Sequence, residues 1–244
     1  MFLSKAVTIM MKRVIEKLLY YISLLSNGRY IKYLRRKGIQ IGDGCVFRNR
    51  HTIRVDVTRP SLVTIGNNVD FNMNFQLLTH DYATGVFIRK YSDFVNSSGR
   101  VVIGNNVVFG TNVTVLKGVK IGDNCIIGAG SIVSKSIPAN SVAVGQPARE
   151  VYTLDEFYAR RKQECVQEAF EYANSIAERY NREPRYEEFY EEFALFVDKD
   201  NIHKYPNLPI ASQLGVAYED WLSRHKAPFA DFEAFISEAK RHKN

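Results

Sequence analysis

The chain of 244 residues is predicted to be mainly β: a parallel β-helix over residues 39–151, with a basic amphipathic helical arm at 1–38 and an α-helical extension at 152–244. Three observations carry this reading. An apolar residue recurs at every sixth position through the middle of the chain, and glycine or asparagine recurs at fixed offsets behind it. After Arg149 the hexads stop, and aromatic and acidic segments begin.

Composition narrows the class. Hydrophobic residues at 45% and charged residues at 24% exclude wholesale disorder. Cys45, Cys125 and Cys165 are too few and too scattered for a disulfide framework or a zinc knuckle, and they fit a reducing compartment. The net charge of +7 resolves into +8 over residues 1–40, +4 over 41–151 and −5 over 152–244. Either the three pieces have different jobs, or the basic arm is neutralised by the acidic tail or by a neighbouring subunit. No basic module interleaved with aromatics is present, so nucleic acid is not an expected partner.

In the arm, the apolar run Leu18 to Leu25 is far shorter than the roughly 20 residues a membrane span needs. No small-residue cleavage pattern follows it, so a secretory signal is not expected. Val14, Leu18, Tyr21, Ile22 and Leu25 instead fall on one helical stripe, which Asn27-Gly28 is expected to end. Lys32, Arg35, Arg36 and Lys37 follow. Such a stripe either packs on the rest of the protein or lies on an anionic membrane face.

The principal hexad series reads Ile41, Phe47, Ile53, Arg59, Ile65, Phe71 and Leu77, then Ile103, Phe109, Val115, Ile121, Ile127 and Val133. Only Arg59 is not apolar, and at the 45% background the chance of this is on the order of 10⁻³. A second series of small or β-branched residues sits two positions earlier, at Val101, Val107, Val113, Val119, Cys125 and Ser131. A period of six suits neither a helix face nor simple alternation. It suits a short strand with an inward side chain followed by a turn, and the turn calls for Gly or Asn. Three strands and three turns close a triangular coil of about 18 residues, and stacked coils pair strand over strand. The hexads make just over four coils, and residues 134–151 would add most of a fifth. Arg59, beside Pro60, marks a distorted coil.

Between Leu77 and Ile103 the register slips once. Residues 79–100, THDYATGVFIRKYSDFVNSSGR, therefore read as a loop thrown out from the solenoid, and such loops are usually functional.

The segment Ile121 to Val151, IGDNCIIGAGSIVSKSIPANSVAVGQPAREV, resembles the hexapeptide-repeat acyltransferases, and within them the sugar and polysaccharide O-acetyltransferases. The resemblance covers residues 39–151. It implies a left-handed β-helix and a homotrimer with active sites in the clefts between subunits. It also implies acetyl-CoA as co-substrate, with no metal. His80, at the mouth of the extruded loop, falls where the family carries its catalytic histidine. The chemistry needs such a base, because an alcohol attacks poorly until its proton is taken in the transition state. His51, two residues before Ile53, is expected to be packed or partly exposed rather than catalytic.

By the same resemblance Gly110, Thr111, Gly128 and Ala129 would line the pantetheine arm, and Lys135 and Arg149 would meet the nucleotide phosphates. Asn49 resembles an acceptor-binding asparagine. Asp81 would bind the acceptor or make an Asx turn. Val108 stands where many sugar acetyltransferases carry Trp, a departure at the wall of the acceptor or acyl pocket.

Beyond the resemblance, Thr153 to Glu156 reads as a capping box opening a helix that runs to Asn181. Pro184, Pro206 and Pro209 punctuate the rest, and Trp221 and the segment 229–236 suggest two further helices. This extension is expected to cap the open end of the β-helix, or to dock a partner or polymer. The function implied is transfer of acetyl from acetyl-CoA to a sugar hydroxyl in capsule or lipopolysaccharide synthesis. The location would be cytoplasmic, and an arm lying on membrane would place the protein peripherally at the inner membrane face. N-acetylation of a nucleotide-linked amino sugar, acetylation of a xenobiotic, and a β-helical scaffold without activity are the alternatives. A β-helical carbonic anhydrase would need three metal-binding histidines, and the coil offers His51 and His80.

Overall fold

The computed structural model describes residues 2–242 and resolves into two compact units, Met1–Phe157 and Tyr158–Asn244. In the first unit four successive turns of chain each lay one strand in each of three sheets. The first sheet holds β1 (Gln40–Ile41), β4 (Val63–Ile65), β7 (Val101–Ile103) and β10 (Lys120–Ile121). The second holds β2 (Val46–Phe47), β5 (Val69–Phe71), β8 (Val107–Phe109), β11 (Cys125–Ile127), β13 (Ser141–Gly145) and β14 (Ala148–Thr153). The third holds β3 (Arg54–Val55), β6 (Gln76–Leu77), β9 (Thr114–Val115) and β12 (Ile132–Val133). All pairings are parallel except that of β13 with β14.

The hexads explain the interior. Phe47, Phe71, Leu77, Ile103, Phe109, Val115, Ile121, Ile127 and Val133 are all buried, as is the second series from Val101 to Ser131. Like positions stack on like. The rings of Phe47 and Phe71 lie 4.5 Å apart and near-parallel, and those of Phe71 and Phe109 lie 5.3 Å apart. Such stacked pairs contribute about 0.5–1.5 kcal/mol beyond simple burial.

One corner is turned by Asn68, Asn106, Asn124 and Asn140, with φ between 54 and 58°. Their amides also link the coils: Asn106 Nδ2 donates to Asn124 Oδ1 at 2.8 Å, and Asn124 Nδ2 to Asn140 Oδ1 at 3.0 Å. Asparagine serves here because it tolerates the left-handed conformation and carries both a donor and an acceptor. Gly66 answers a different demand, because a Cβ there would stand 2.5 Å from the Gly104 carbonyl oxygen of the next coil. Gly66→Ala is therefore expected to destabilise the solenoid by about 1–3 kcal/mol, seen as a lower melting temperature by circular dichroism.

Coil length locates the irregularities. Val102 pairs with Lys120, 18 positions on, which is the regular repeat. Gln40 pairs with Thr64, 24 positions on, and Val63 with Val101, 38 positions on. The longest coil carries the extruded segment, and within it lies helix α3 (Thr84–Tyr91). The first coil is long because of a turn at residues 48–52 and a 3₁₀ turn at Pro60–Leu62. Two sequence expectations need correction here. Val55, not Ile53, pairs with Leu77, so Ile53 belongs to the second series. The extra residues of the turn shift the register, and they leave His51 on the surface, where a packed or partly exposed side chain was expected.

Residues 134–151 do not complete a coil. Ile137 bridges to Ile121 and β13 pairs with β11, after which the chain turns through the cis Gln146–Pro147 bond and returns antiparallel as β14.

At the other end stand α1 (Phe2–Ser23) and α2 (Asn27–Arg36). Asn27 does not end a helix, as expected from Asn27-Gly28, but begins one. Ser26 caps it by accepting from Arg29 N, so the break falls at 24–26. Leu24, Tyr30 and Leu34 join the solenoid core, and the Tyr30 ring meets Phe47 edge-on at 5.0 Å. Asn27 also pairs the bare edge of β2, donating to Cys45 O and accepting from Phe47 N, each at 2.8 Å. A free strand edge is thereby closed.

Helix α4 (Leu154–Tyr180) opens on the expected capping box, with Thr153 N donating to Glu156 Oε2 and Glu156 N to Thr153 Oγ1. The second unit adds α5 (Ile210–Leu214), α6 (Tyr218–Arg224) and α7 (Phe232–Arg241) around a cluster of aromatic rings that includes Phe170, Phe189, Phe196, Phe232 and Phe235.

Candidate active site

The extruded segment leaves the solenoid at the corner that follows β6, and His80 is held there by a partner one coil below. His80 Nδ1 lies 2.7 Å from Asp56 Oδ2, and the two side chains are 12% and 6% exposed. Asp56 follows β3 directly and so sits beneath Leu78. Its Oδ1 accepts from Thr58 N at 2.9 Å and Thr58 Oγ1 at 2.6 Å. Its Oδ2 accepts from Thr79 N at 3.1 Å and from the Thr79 hydroxyl. Burial opposes ionisation of Asp56, but these donors outweigh it and hold the carboxyl well below the usual carboxylate range. An ionised Oδ2 facing Nδ1 assigns the imidazole proton to Nδ1 and leaves a lone pair on Nε2. That is the tautomer of a general base.

The base of the loop is closed like a hairpin. His80 bridges antiparallel to Ser98, and Gly99 N donates to Thr79 O at 2.9 Å. A Cβ on Gly99 would meet Gly118 N of the adjoining coil at 2.7 Å, so the return strand needs glycine there. Lys117 donates to both Asp81 Oδ2 and Ser97 Oγ, tying the loop to the next coil. Asp81 Oδ1 accepts from Ala83 N at 3.0 Å, an Asx turn and one of the two roles the sequence left open for it. Lys117 and this turn lower its carboxyl to about 2. The Tyr82 ring stands edge-on to His80 at 5.1 Å and is itself exposed.

The other candidate residues divide between corners. Lys135 is exposed on the His80 corner, 18 positions after Lys117. Gly110, Thr111, Gly128 and Ala129 lie at the preceding corner, across the third sheet. Gly110 and Gly128 are explained by coil stacking alone: a Cβ would meet Ala129 N at 2.5 Å or Val144 Cγ1 at 2.6 Å. Arg149 is exposed on β14, with Nη1 donating to Ala148 O at 2.8 Å. Asn49 lies in the turn after β2, where its carbonyl accepts from Thr52 N. Val108 faces outward from the second sheet and is half-exposed. Within one chain the glycine corner and His80 are therefore not brought together. Among the described residues, no group of three His, Cys, Asp or Glu could hold a metal ion.

Comparison with known proteins places this architecture. The family model of the bacterial transferase hexapeptide (six repeats) matches residues 100–135. A putative acetyltransferase, YvoF of Bacillus subtilis (strain 168), is 35% identical over 138 residues, covering 57% of this chain and 72% of the relative. Protein CapG of Staphylococcus aureus is 30% identical over 139 residues, covering 56% and 78%. The chain belongs to the hexapeptide-repeat acyltransferase family. Another member, the galactoside O-acetyltransferase of Escherichia coli (strain K12), is 43% identical over 94 residues, or 38% of this chain and 45% of that one. Among solved structures, a maltose O-acetyltransferase from Clostridium difficile 630 matches with a TM-score of 0.42 and 28% identity, over 58% of this chain and 85% of that one. For this hexapeptide-repeat acyltransferase the residue that sequence reasoning missed is Asp56. Its signal was faint: an acidic residue directly after an inward Val55, followed two positions later by Thr58.

Proposed function

We propose that the protein transfers the acetyl group of acetyl-CoA to a hydroxyl of a sugar or glycan, with His80 as general base. The observation that carries this is the His80–Asp56 pair at the base of the extruded loop, in a chain of an acyltransferase family. His80 Nε2 takes the acceptor proton as the oxygen attacks the thioester carbonyl carbon. The tetrahedral intermediate then collapses, the carbon–sulfur bond breaks, and the imidazolium returns its proton to the CoA thiolate. The products are an O-acetyl ester and free CoA. Asp56 keeps the ring in the reactive tautomer and stabilises the imidazolium.

The division of residues between corners supports a site shared between subunits, and in this reading the left-handed coils assemble as a homotrimer. There the glycine corner of one subunit, with Gly110, Thr111, Gly128 and Ala129, would face His80 of another. Lys135 and Arg149 are exposed cations suited to the CoA phosphates, and Asn49 and Asp81 are the acceptor contacts in this reading. Capsule or lipopolysaccharide assembly would supply such an acceptor, and acetyl-CoA supplies a cytoplasmic setting. The test is a coupled assay of thiol release from acetyl-CoA against a panel of sugars, amino sugars and nucleotide sugars. Acceptor-dependent release with acetyl ester formed is expected. Release confined to amino sugars, with amide formed, would overturn O-transfer, and no release with any acceptor would overturn the enzyme.

A further inference from the structure

Helix α1 is turned inside out relative to an ordinary surface helix. At 100° per residue, Val7, Met10, Met11, Val14, Ile15, Leu18, Tyr21 and Ile22 fall within an arc of about 140°. All of them are between 42 and 63% exposed. The opposite side is the one that meets the protein. There Glu16 pairs with Lys37 and Arg36, Tyr20 stands edge-on to Tyr33 at 5.7 Å, and Ser23 is buried. The apolar stripe read from the sequence therefore does not pack on the solenoid, although the adjacent α2 does.

Charge says what such a face fits. Lys12 and Lys17 flank the arc on its two sides and are exposed. Arg29, Lys32 and Arg36 form a stripe on α2 and, with Leu19, Ile22 and Tyr33, line a groove of about 360 Å³ between the two helices. The only acidic residue of residues 1–40 is Glu16, already paired on the protein side. A second copy of the same face would set Lys12, Lys17, Arg29, Lys32 and Arg36 against the same five cations, so self-association is opposed by charge. Among the described residues no helix is long and apolar enough to cross a membrane.

We propose that the α1–α2 hairpin is a docking surface for an anionic lipid bilayer. The apolar arc enters the acyl boundary, Lys12 and Lys17 extend from its flanks to the headgroups, and the α2 stripe receives lipid phosphates at the groove. The helix lies in the interface and does not span it. This inference stands on α1 and α2 alone and is independent of the acetyl-transfer reading.

The test is co-sedimentation of the full chain with vesicles of phosphatidylcholine alone or mixed in equal parts with phosphatidylglycerol, at low and high salt. Binding to the mixed vesicles, weakened by salt, is expected, with little binding to phosphatidylcholine. The double variant Val14→Glu/Leu18→Glu should abolish it. The triple variant Arg29→Gln/Lys32→Gln/Arg36→Gln should weaken it on the order of 100-fold at low salt. Both variants should keep a melting temperature near wild type, since the substituted side chains are exposed and the one ion pair lost, Arg36–Glu16, lies at the surface while Lys37 still holds Glu16. Equal binding to both vesicles, no binding, or binding that neither variant changes would overturn the proposal. So would a fall in solution mass of Val14→Glu/Leu18→Glu without vesicles, because the face would then be covered by another copy.

Discussion

His80→Ala is expected to lower kcat for acetyl transfer by about 10²–10⁴-fold, the range that a positioned general base contributes. A sugar hydroxyl is almost wholly un-ionised at neutral pH, so without the imidazole the attacking oxygen keeps its proton into the transition state. The KM for acetyl-CoA should hold, because the ring is assigned to proton transfer and not to cofactor binding. The fold should also hold. Asp56 retains its four donors from Thr58 and Thr79, and the loop remains closed by Gly99 and Lys117. Purified variant and wild type are compared by initial rates of thiol release with the best acceptor, alongside melting curves. Near-normal turnover in a folded His80→Ala protein would remove His80 from the mechanism.

The solenoid was legible because a repeat states the same environment many times over. Each coil places an apolar residue inward and Gly or Asn at its corners, so one exception such as Arg59 does not hide the period. His80 was legible because it stands where the register slips. Asp56 was not, and the reason is geometric. The first coil carries a turn at 48–52, which moves the inward residue from Ile53 to Val55. Counted in strict hexads, Asp56 falls inside a turn. Counted in the true register, it follows an inward residue and lies under Leu78, one position from Thr79. A pairing 24 residues apart in sequence becomes contact only through the stacking of coils.

The amphipathic pattern of α1 was equally plain, yet periodicity names a face without saying what covers it. That depended on Glu16, Tyr20 and Ser23, which meet α2 from the other side. In the second unit the core is built from aromatic rings on α4, on 3₁₀ turns and on α7, with no common period. Its long helix with the capping box, and the helices at Trp221 and at 229–236, could be read in advance, whereas the 3₁₀ turns between them could not.

Asp56→Asn is expected to lower kcat by at least about 10²-fold, approaching the 10⁴ that a wrong imidazole tautomer can cost. The carboxylate accepts on both oxygens, whereas an amide presents one oxygen and one NH₂. With the oxygen kept toward Thr58, the NH₂ faces Thr79 N–H and His80 Nδ1. The ring then answers as an acceptor at Nδ1, its proton moves to Nε2, and the base is lost. Because Asp56 touches His80 and is proposed to act only through it, the KM for acetyl-CoA should stay near wild type while kcat falls. A second effect follows from the donors left facing an amide: a stability loss of about 1–3 kcal/mol for each buried group left unsatisfied. Its pH dependence has a definite sign. The carboxyl is depressed in the folded state, so its contribution is complete above the ordinary carboxylate range near about pH 4 and is lost as pH falls from there toward the depressed folded value. The melting-temperature gap between wild type and Asp56→Asn should therefore be widest at neutral pH and close in acid. A gap that stayed constant down to strongly acidic pH would mean that the charge on Asp56 does not hold this corner together.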